Sequence, residues 1–389
     1  MDTHKFKCQF CGGKIRSDLD MCGDTIECPH CENSISIPMP GVKAGIVIAD
    51  FKVLKRLGVG GMGEVWLAED TTRGRKVALK ILSPALTRND LFVQRFHREV
   101  RMAAKMSHPN IVTAFDAGVD SNFHYLATNY IDGQNLEEVL RKEGRLTESE
   151  ALSIIFSITE ALMYAMNKHN IMHRDIKPGN IMIDTDGIAL LMDLGVSKYM
   201  DSQEDSLTTV GQFVGTPYYM SPEQARTEAG IDFRSDIYSL GCSLYHMLAG
   251  TVPFRANSHV EILNKHIQEQ AQPVQKFNPK ISDACAALLE IMISKEKSDR
   301  QGSWAEVARD INLVLAGQFP LTPCSEVSLF AKHQQESRAS RESSTTMFEK
   351  KCVSPLRRRS KTNFDHIIMY ILMVIIFATL TIICIMLSR

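Results

Sequence analysis

The sequence predicts an α+β chain: a small β-rich part first, a larger helical part after it. Three observations carry this. Residues 51–82 alternate in the strand manner around a run of glycines. From Thr147 onward, capping signals and 3.6-residue apolar periodicity take over. Two Cys-x-x-Cys pairs stand in front, and an uncharged stretch stands near the end, so a small metal ribbon is expected at one end and a single membrane-crossing helix at the other.

With 389 residues the chain exceeds one ordinary domain, and 44% hydrophobic residues place it among globular proteins. A net charge of −1 carries no overall nucleic-acid signature. The ten cysteines are clustered rather than spread as a disulfide framework. The first residues lack an apolar signal region, so a reducing cytoplasm is the expected compartment.

In chain order, residues 1–38 come first. Cys8-x-x-Cys11 and Cys28-x-x-Cys31 flank sixteen residues, the spacing of two short hairpins offering four thiolates to one Zn²⁺. Gly12-Gly13 allows the tight backbone of such a knuckle. So short a segment buries little core, and the metal would supply its folding energy. Cys22 and His30 are spare candidates, read as a turn residue and an outward-pointing side chain. No basic-aromatic stripe accompanies the ribbon, so a docking role is expected and no nucleic-acid partner. Residues 39–50, with Pro40, Gly41 and Gly45, read as a linker.

Leu57-Gly58-Val59-Gly60-Gly61-Met62-Gly63-Glu64-Val65 contains G-x-G-x-x-G-x-V. In a dinucleotide fold that pattern would open a helix. Here Val65-Trp66-Leu67-Ala68 continues as a strand, which favours a β-hairpin whose backbone N–H groups approach phosphates. Val77-Ala78-Leu79-Lys80 is a further strand. Residues 90–106 carry apolar side chains at helical spacing, with Glu99 among them. Phe123 to Gly133 is strand followed by a turn. Thr147-Glu148-Ser149-Glu150 is a capping box opening a long helix toward Lys168.

The centre of the chain is His173-Arg174-Asp175-Ile176-Lys177-Pro178-Gly179-Asn180, followed by Asp193-Leu194-Gly195, Gly215-Thr216-Pro217 and Ser221-Pro222-Glu223. The order H-R-D-x-K-P-x-N, D-x-G, G-T-P, x-P-E resembles the catalytic and activation loops of protein kinases of the Ser/Thr type, in their bacterial branch. The resemblance covers about residues 51–317, and it implies the two-lobed protein kinase fold, ATP and Mg²⁺ as cofactors, and protein substrates. It implies that Asp175 orients the substrate hydroxyl, that Lys177 touches the γ-phosphate, and that Asn180 and Asp193 hold Mg²⁺. Lys80 would bind the α/β-phosphates with Glu99 as its partner. The lid would be residues 57–65, and Ala78, Thr128 (the gatekeeper), Asn129 and Ile131 would line the adenine site. Asn129 stands where the family usually has Glu, a mild departure because backbone groups make the hinge contacts. Leu194 replaces the commoner Phe, and Ser221 the commoner Ala. Thr216 would bond to Asp175 or Lys177. Asp236 would hold the catalytic loop from below, and Arg300 would pair with Glu223; these three are structural.

Ser206, Thr208 and Thr209 lie in a polar run, and phosphate on Thr208 or Thr209 could pair with Arg174. A homodimer for trans-autophosphorylation is the expected partner arrangement. Asp236 begins a helix apolar almost all round, hence buried. Residues 303–316 form the last amphipathic helix. Residues 318–365 lose periodicity and read as a flexible linker. From Lys350 to Lys361 there are six basic residues and no acidic one. Ile367–Leu387 is an uncharged run of 21 residues, about 30 Å as a helix, so residues 366–387 are expected to anchor the kinase in membrane lipid with its bulk in the cytoplasm. The alternative is a non-catalytic kinase-fold scaffold recruiting partners through the ribbon. The presence of Lys80, Glu99, Asp175, Asn180 and Asp193 favours the enzyme.

Overall fold

The computed structural model describes residues 3–18, 21, 24–38, 41–60, 63–83, 93, 100, 106–120, 123–192 and 217–323. Glu99, Gly61, Met62, Asp193, Thr208, Thr209, Thr216 and the expected anchor 366–387 lie outside them.

Two short antiparallel hairpins come first. β1 (Thr3–Lys7) pairs with β2 (Lys14–Asp18), and β3 (Thr25–Glu27) with β4 (Ser34–Ser36). Each turn carries one cysteine pair, and Cys8, Ile15, Cys28 and Ile35 form a small buried cluster.

The small lobe is an antiparallel sheet of six strands. β5 (Val47–Ile48), β6 (Phe51–Gly60), β7 (Gly63–Asp70), β8 (Arg75–Leu82), β9 (Ala114–Asp120) and β10 (Phe123–Asn129) stand in the order β5-β6-β7-β8-β10-β9. Strand alternation gives the sheet two different faces. On the outer face Val77, Leu79 and Ile81 pack with Phe51, Val53, Trp66, Ala68, Tyr125 and Ala127. On the inner face Leu82 and Leu126 pack with Ala114 and with Val100, which is helical.

Of the stretch expected as a linker, 39–50, the described residues 41–50 pack on this lobe. Val42 and Ile48 are buried in the outer-face cluster together with Ile37, and Val47–Ile48 adds an edge strand by pairing with Phe51–Lys52. Gly45 and Ile46 exchange backbone hydrogen bonds with Val53, and the Ala49 N–H donates to Asp120. Gly41 and Gly45, both at positive φ, shape turns between buried apolar anchors.

The large lobe is helical around a three-stranded floor, β11 (Gly133–Asn135), β12 (Ile181–Asp184) and β13 (Ala189–Leu191). Its helices are α1 (Leu136–Glu143), α2 (Glu148–His169), α3 (Pro222–Ala225), α4 (Arg234–Ala249), α5 (His259–Gln268), α6 (Asp283–Met292) and α7 (Trp304–Leu315). Thr147 caps α2 in a reciprocal box with Glu150, as its sequence implied, and Asn170 ends it in the left-handed conformation. By length and composition α2 could cross a membrane, but it buries Leu152, Ile155, Ile158 and Leu162 in the lobe's core against α4 and α7. In α4 every residue except Arg234 and His246 is buried, making it the lobe's central post.

Candidate active site

The catalytic loop hangs from α4. Asp236 is buried, and its carboxylate accepts the N–H of His173 at 2.8 Å and of Arg174 at 2.7 Å. Burial pushes its pKa up, against the pull of His173 and these two N–H groups. Arg174 has φ +65°, a strained value for a side chain with a Cβ, at a cost of about 1–2 kcal/mol. The two bonds to Asp236 hold that turn in place, and Gln224 Nε2 clamps the Arg174 carbonyl at 3.0 Å. The strained turn aims the next residue, Asp175.

Around Asp175 the predicted residues converge. Lys177 Nζ lies 2.8 Å from Asp175 Oδ2. Asn180 Nδ2 donates to the Asp175 carbonyl at 2.8 Å and to Oδ2 at 3.2 Å. The Asp175 N–H donates to His173 Nδ1 at 3.2 Å, which leaves the proton on Nε2 to reach the Met192 carbonyl at 2.9 Å. Met192 N–H in turn donates to the Asn180 carbonyl at 2.9 Å. The residue preceding Asp193 is thereby tied to the catalytic loop on both sides. His173 had no role assigned from sequence; the signal was its place at the head of H-R-D.

In the small lobe, Lys80 pairs across the sheet with Val65 and with Leu126, and Ala78 with Leu67 and with Thr128. Cross-strand partners share a face, so Val65, Ala78, Lys80 and Thr128 stand together on the inner face. Thr128 Oγ1 lies 3.4 Å from the Ala78 carbonyl. The Asn129 N–H is bonded to the Thr113 carbonyl at 3.0 Å.

The glycine run is a β-hairpin, paired from Gly58↔Val65 to Gly60↔Gly63, which excludes the strand-to-helix turn of a dinucleotide site. Gly63 has φ +144°, and a Cβ there would stand 1.9 Å from the Ile81 carbonyl oxygen, so only glycine fits. At Gly58 and Gly60 a Cβ would meet nothing within 4 Å, leaving open space beside the hairpin. The space, the glycine backbone, the Lys80 ammonium and the hard oxygen of Asn180 suit a nucleoside triphosphate with a divalent cation.

Glu64 departs from its expected place in the ATP site. Alternation puts it on the outer face with Trp66 and Ala68, opposite Lys80. It is fully buried, accepting from Trp66 Nε1 at 2.8 Å and paired with Arg56 at 3.3 Å.

Glu223 and Arg300 meet below the loop, with both terminal guanidinium nitrogens on the carboxylate at 2.7 and 3.0 Å and both side chains buried. Ser221 has a role missed from sequence: it caps α3 in a reciprocal box with Gln224, the same glutamine that holds Arg174. The S-x-x-Q spacing was the available signal. Beside Lys177 a cleft of about 670 Å³ opens, lined by Glu137, Gly179, Tyr218, Arg255 and Asn257 among others.

The four thiols of Cys8, Cys11, Cys28 and Cys31 lie within 4.8 Å of one another. Cys8–Cys31 and Cys11–Cys28 are 3.8 and 3.7 Å apart. A tetrahedral S₄ site with Zn–S near 2.3 Å has edges of about 3.8 Å, so the donor set fits Zn²⁺. The two knuckles repeat one another: the Phe10 N–H points to Cys8 Sγ and the His30 N–H to Cys28 Sγ, each at 3.4 Å. Asn33, 3.4 Å away through Nδ2, is the main group lowering Cys31 to about 6. The His30 ring lies against the Lys14 carbonyl at 3.1 Å.

Residues 51–311 match the protein kinase domain family. The chain is 35% identical over 296 residues to the probable serine/threonine-protein kinase PknB of Bifidobacterium longum, covering 74% of this chain and 42% of that one. It is 36% identical over 271 residues to the serine/threonine-protein kinase PknB of Mycobacterium tuberculosis, covering 69% and 43%. The crystal structure of the Mycobacterium tuberculosis PknI kinase domain superposes with a TM-score of 0.57 at 27% identity, over 70% of this chain and 99% of that one. This chain belongs to the protein kinase family, in its bacterial Ser/Thr branch. It spans less than half the length of the curated relatives it matches.

Proposed function

We propose that the chain is a Ser/Thr protein kinase that transfers the γ-phosphate of ATP to Ser and Thr hydroxyls of proteins. The observation that carries this reading is the Asp175–Lys177–Asn180 cluster on a loop fastened to buried Asp236. Asp175 Oδ2 would accept the hydroxyl proton and orient the nucleophile. Lys177, 2.8 Å from that carboxylate, holds it in place and would offset negative charge on the transferred group. Lys80 would hold the α/β-phosphates, and Asn180 with Asp193 would hold Mg²⁺. Bound ATP and Mg²⁺ supply the phosphoryl donor and neutralise charge on the leaving oxygens. The cleft beside Lys177 would take the acceptor polypeptide.

The wider reading adds three parts. Residues 366–387 hold the kinase at the cytoplasmic face of a membrane, where neighbouring copies phosphorylate one another at Thr208 and Thr209. Arg174 receives that phosphate. Cys8, Cys11, Cys28 and Cys31 bind one Zn²⁺. Support for the anchor is the uncharged run and its basic flank; support for zinc is the S₄ geometry. The test is label transfer from γ-³²P-ATP with Mg²⁺ to the chain itself and to an added generic protein acceptor. Transfer that vanishes in Lys80→Met is expected. No transfer by the wild type, with acceptor binding retained, would favour a non-catalytic scaffold.

A further inference from the structure

We infer that the four-cysteine module is a positioning element for the ATP lid, acting through the outer face of the small-lobe sheet. The inference rests on the kinase reading. Two independent contacts carry it. The first is apolar. Phe6 and Ile26, one from each hairpin, pack on the cluster of Phe51, Val53, Trp66 and Leu79, on the face opposite Lys80. Ile37, at the module's exit, is fully buried in the same cluster. The hairpins are therefore a layer of the small lobe, not a tethered bead.

The second contact is polar and ends at the lid. Gln9 lies between the first two cysteines, and its Oε1 accepts from Arg56 NH2 at 3.4 Å. Arg56 NH1 reaches Glu64 Oε1 at 3.3 Å, and Glu64 Oε2 accepts from Trp66 Nε1 at 2.8 Å. Glu64 directly follows Gly63 and pairs across the hairpin with Val59. Its carboxylate is buried and held in place by both Arg56 and Trp66. Gln9 thus fixes Arg56, Arg56 fixes Glu64, and Glu64 fixes the base of the glycine hairpin. Gln9 is a positioning residue: it reaches ATP only through the lid, so its loss weakens nucleotide binding and leaves the chemical step alone.

The test uses the full chain, with Gln9→Ala on the exposed knuckle and Phe6→Ala at the apolar contact, all four cysteines retained. Binding of Mg–AMP-PNP is measured by calorimetry, KM and kcat for ATP by label transfer, and hydrogen exchange across residues 57–66. In Gln9→Ala the AMP-PNP Kd and the ATP KM rise about three- to tenfold, the worth of one partly exposed bond to a charged group. kcat is unchanged, and exchange at 57–66 speeds up. Phe6→Ala shifts all three further in the same direction. Wild-type Kd and wild-type exchange in both variants would overturn the coupling. Zinc is assayed on the same samples: shifts in zinc-free protein sustain the coupling while removing the metal reading. Should the wild type bind no AMP-PNP, the kinase reading fails, and exchange at 57–66 alone decides the coupling.

Discussion

Replacing Arg300 by Leu removes the partner of a buried carboxylate. Arg300 and Glu223 have side-chain exposures of 0% and 2%, and their two bonds measure 2.7 and 3.0 Å. The same guanidinium donates to the carbonyls of Ser294, Arg234 and Lys295 at 2.8–2.9 Å and lies over the Tyr238 ring. Stranding one member of a buried pair costs about 3–5 kcal/mol. Loss of donors to three carbonyls adds to this, though such terms share one site and do not sum. Domain stabilities run about 5–15 kcal/mol, so Arg300→Leu takes a large share of the whole. Glu223→Gln keeps the shape but leaves the Arg300 charge buried without its carboxylate, so its cost falls in the same range of about 3–5 kcal/mol.

The assay is urea denaturation followed by tryptophan fluorescence. Trp304, buried against Phe233, reports the large lobe. The pH dependence gives a second readout. Burial works against the Glu223 charge, but the Arg300 bonds and charge outweigh it and hold the carboxyl below its ordinary value. A depressed carboxylate stabilises the fold above its unfolded pKa of about 4.3. That stability drains away as pH falls from there through the lower folded value. Wild type therefore loses this contribution in acid, and Glu223→Gln does not. An Arg300→Leu loss below about 1 kcal/mol would refute the reasoning, because a stranded buried charge cannot cost so little.

Three further outcomes are expected. Metal analysis of the purified chain finds one Zn per chain; strong chelation releases it and Cys22→Ser leaves it unchanged. Mass spectrometry finds phosphate on Thr208 or Thr209 in wild type and not in Asp175→Asn, and Thr208→Ala/Thr209→Ala loses most activity on an added acceptor. Deleting residues 366–389 moves the kinase from the membrane fraction to the soluble fraction with peptide activity intact; a truncated chain that still pellets with membranes contradicts the anchor.

The catalytic loop was legible in the sequence because the chemistry restricts the residue types. An acceptor carboxylate, a lysine two residues on and an amide three further leave few substitutes, and Asp175, Lys177 and Asn180 do meet. The α2 start was legible because a capping box is local: Thr147 and Glu150 satisfy each other's orphan groups. What stayed hidden depends on contacts across the chain. Val42 and Ile48 sit among Pro and Gly, so their local pattern reads as a linker, and only the outer sheet face makes them core. Glu64 lies in the glycine run, and its sequence position alone suggested the phosphates. Strand parity put it on the other face, where Arg56 and Trp66 bind it. Gln9 carried no signal, because its partner is 47 residues away.

The most direct measurement of the central claim is steady-state phosphoryl transfer by Asp175→Asn beside wild type, with Mg–ATP affinity measured on the same samples. Asn keeps the shape and the contacts to Lys177 and Asn180 but cannot take the hydroxyl proton. The account predicts unchanged ATP affinity, a kcat lower by about 10²–10⁴-fold, and label in wild type on Ser and Thr alone. A variant retaining wild-type kcat would contradict it, since the residue at the centre of the cluster would then not be the one that orients the nucleophile.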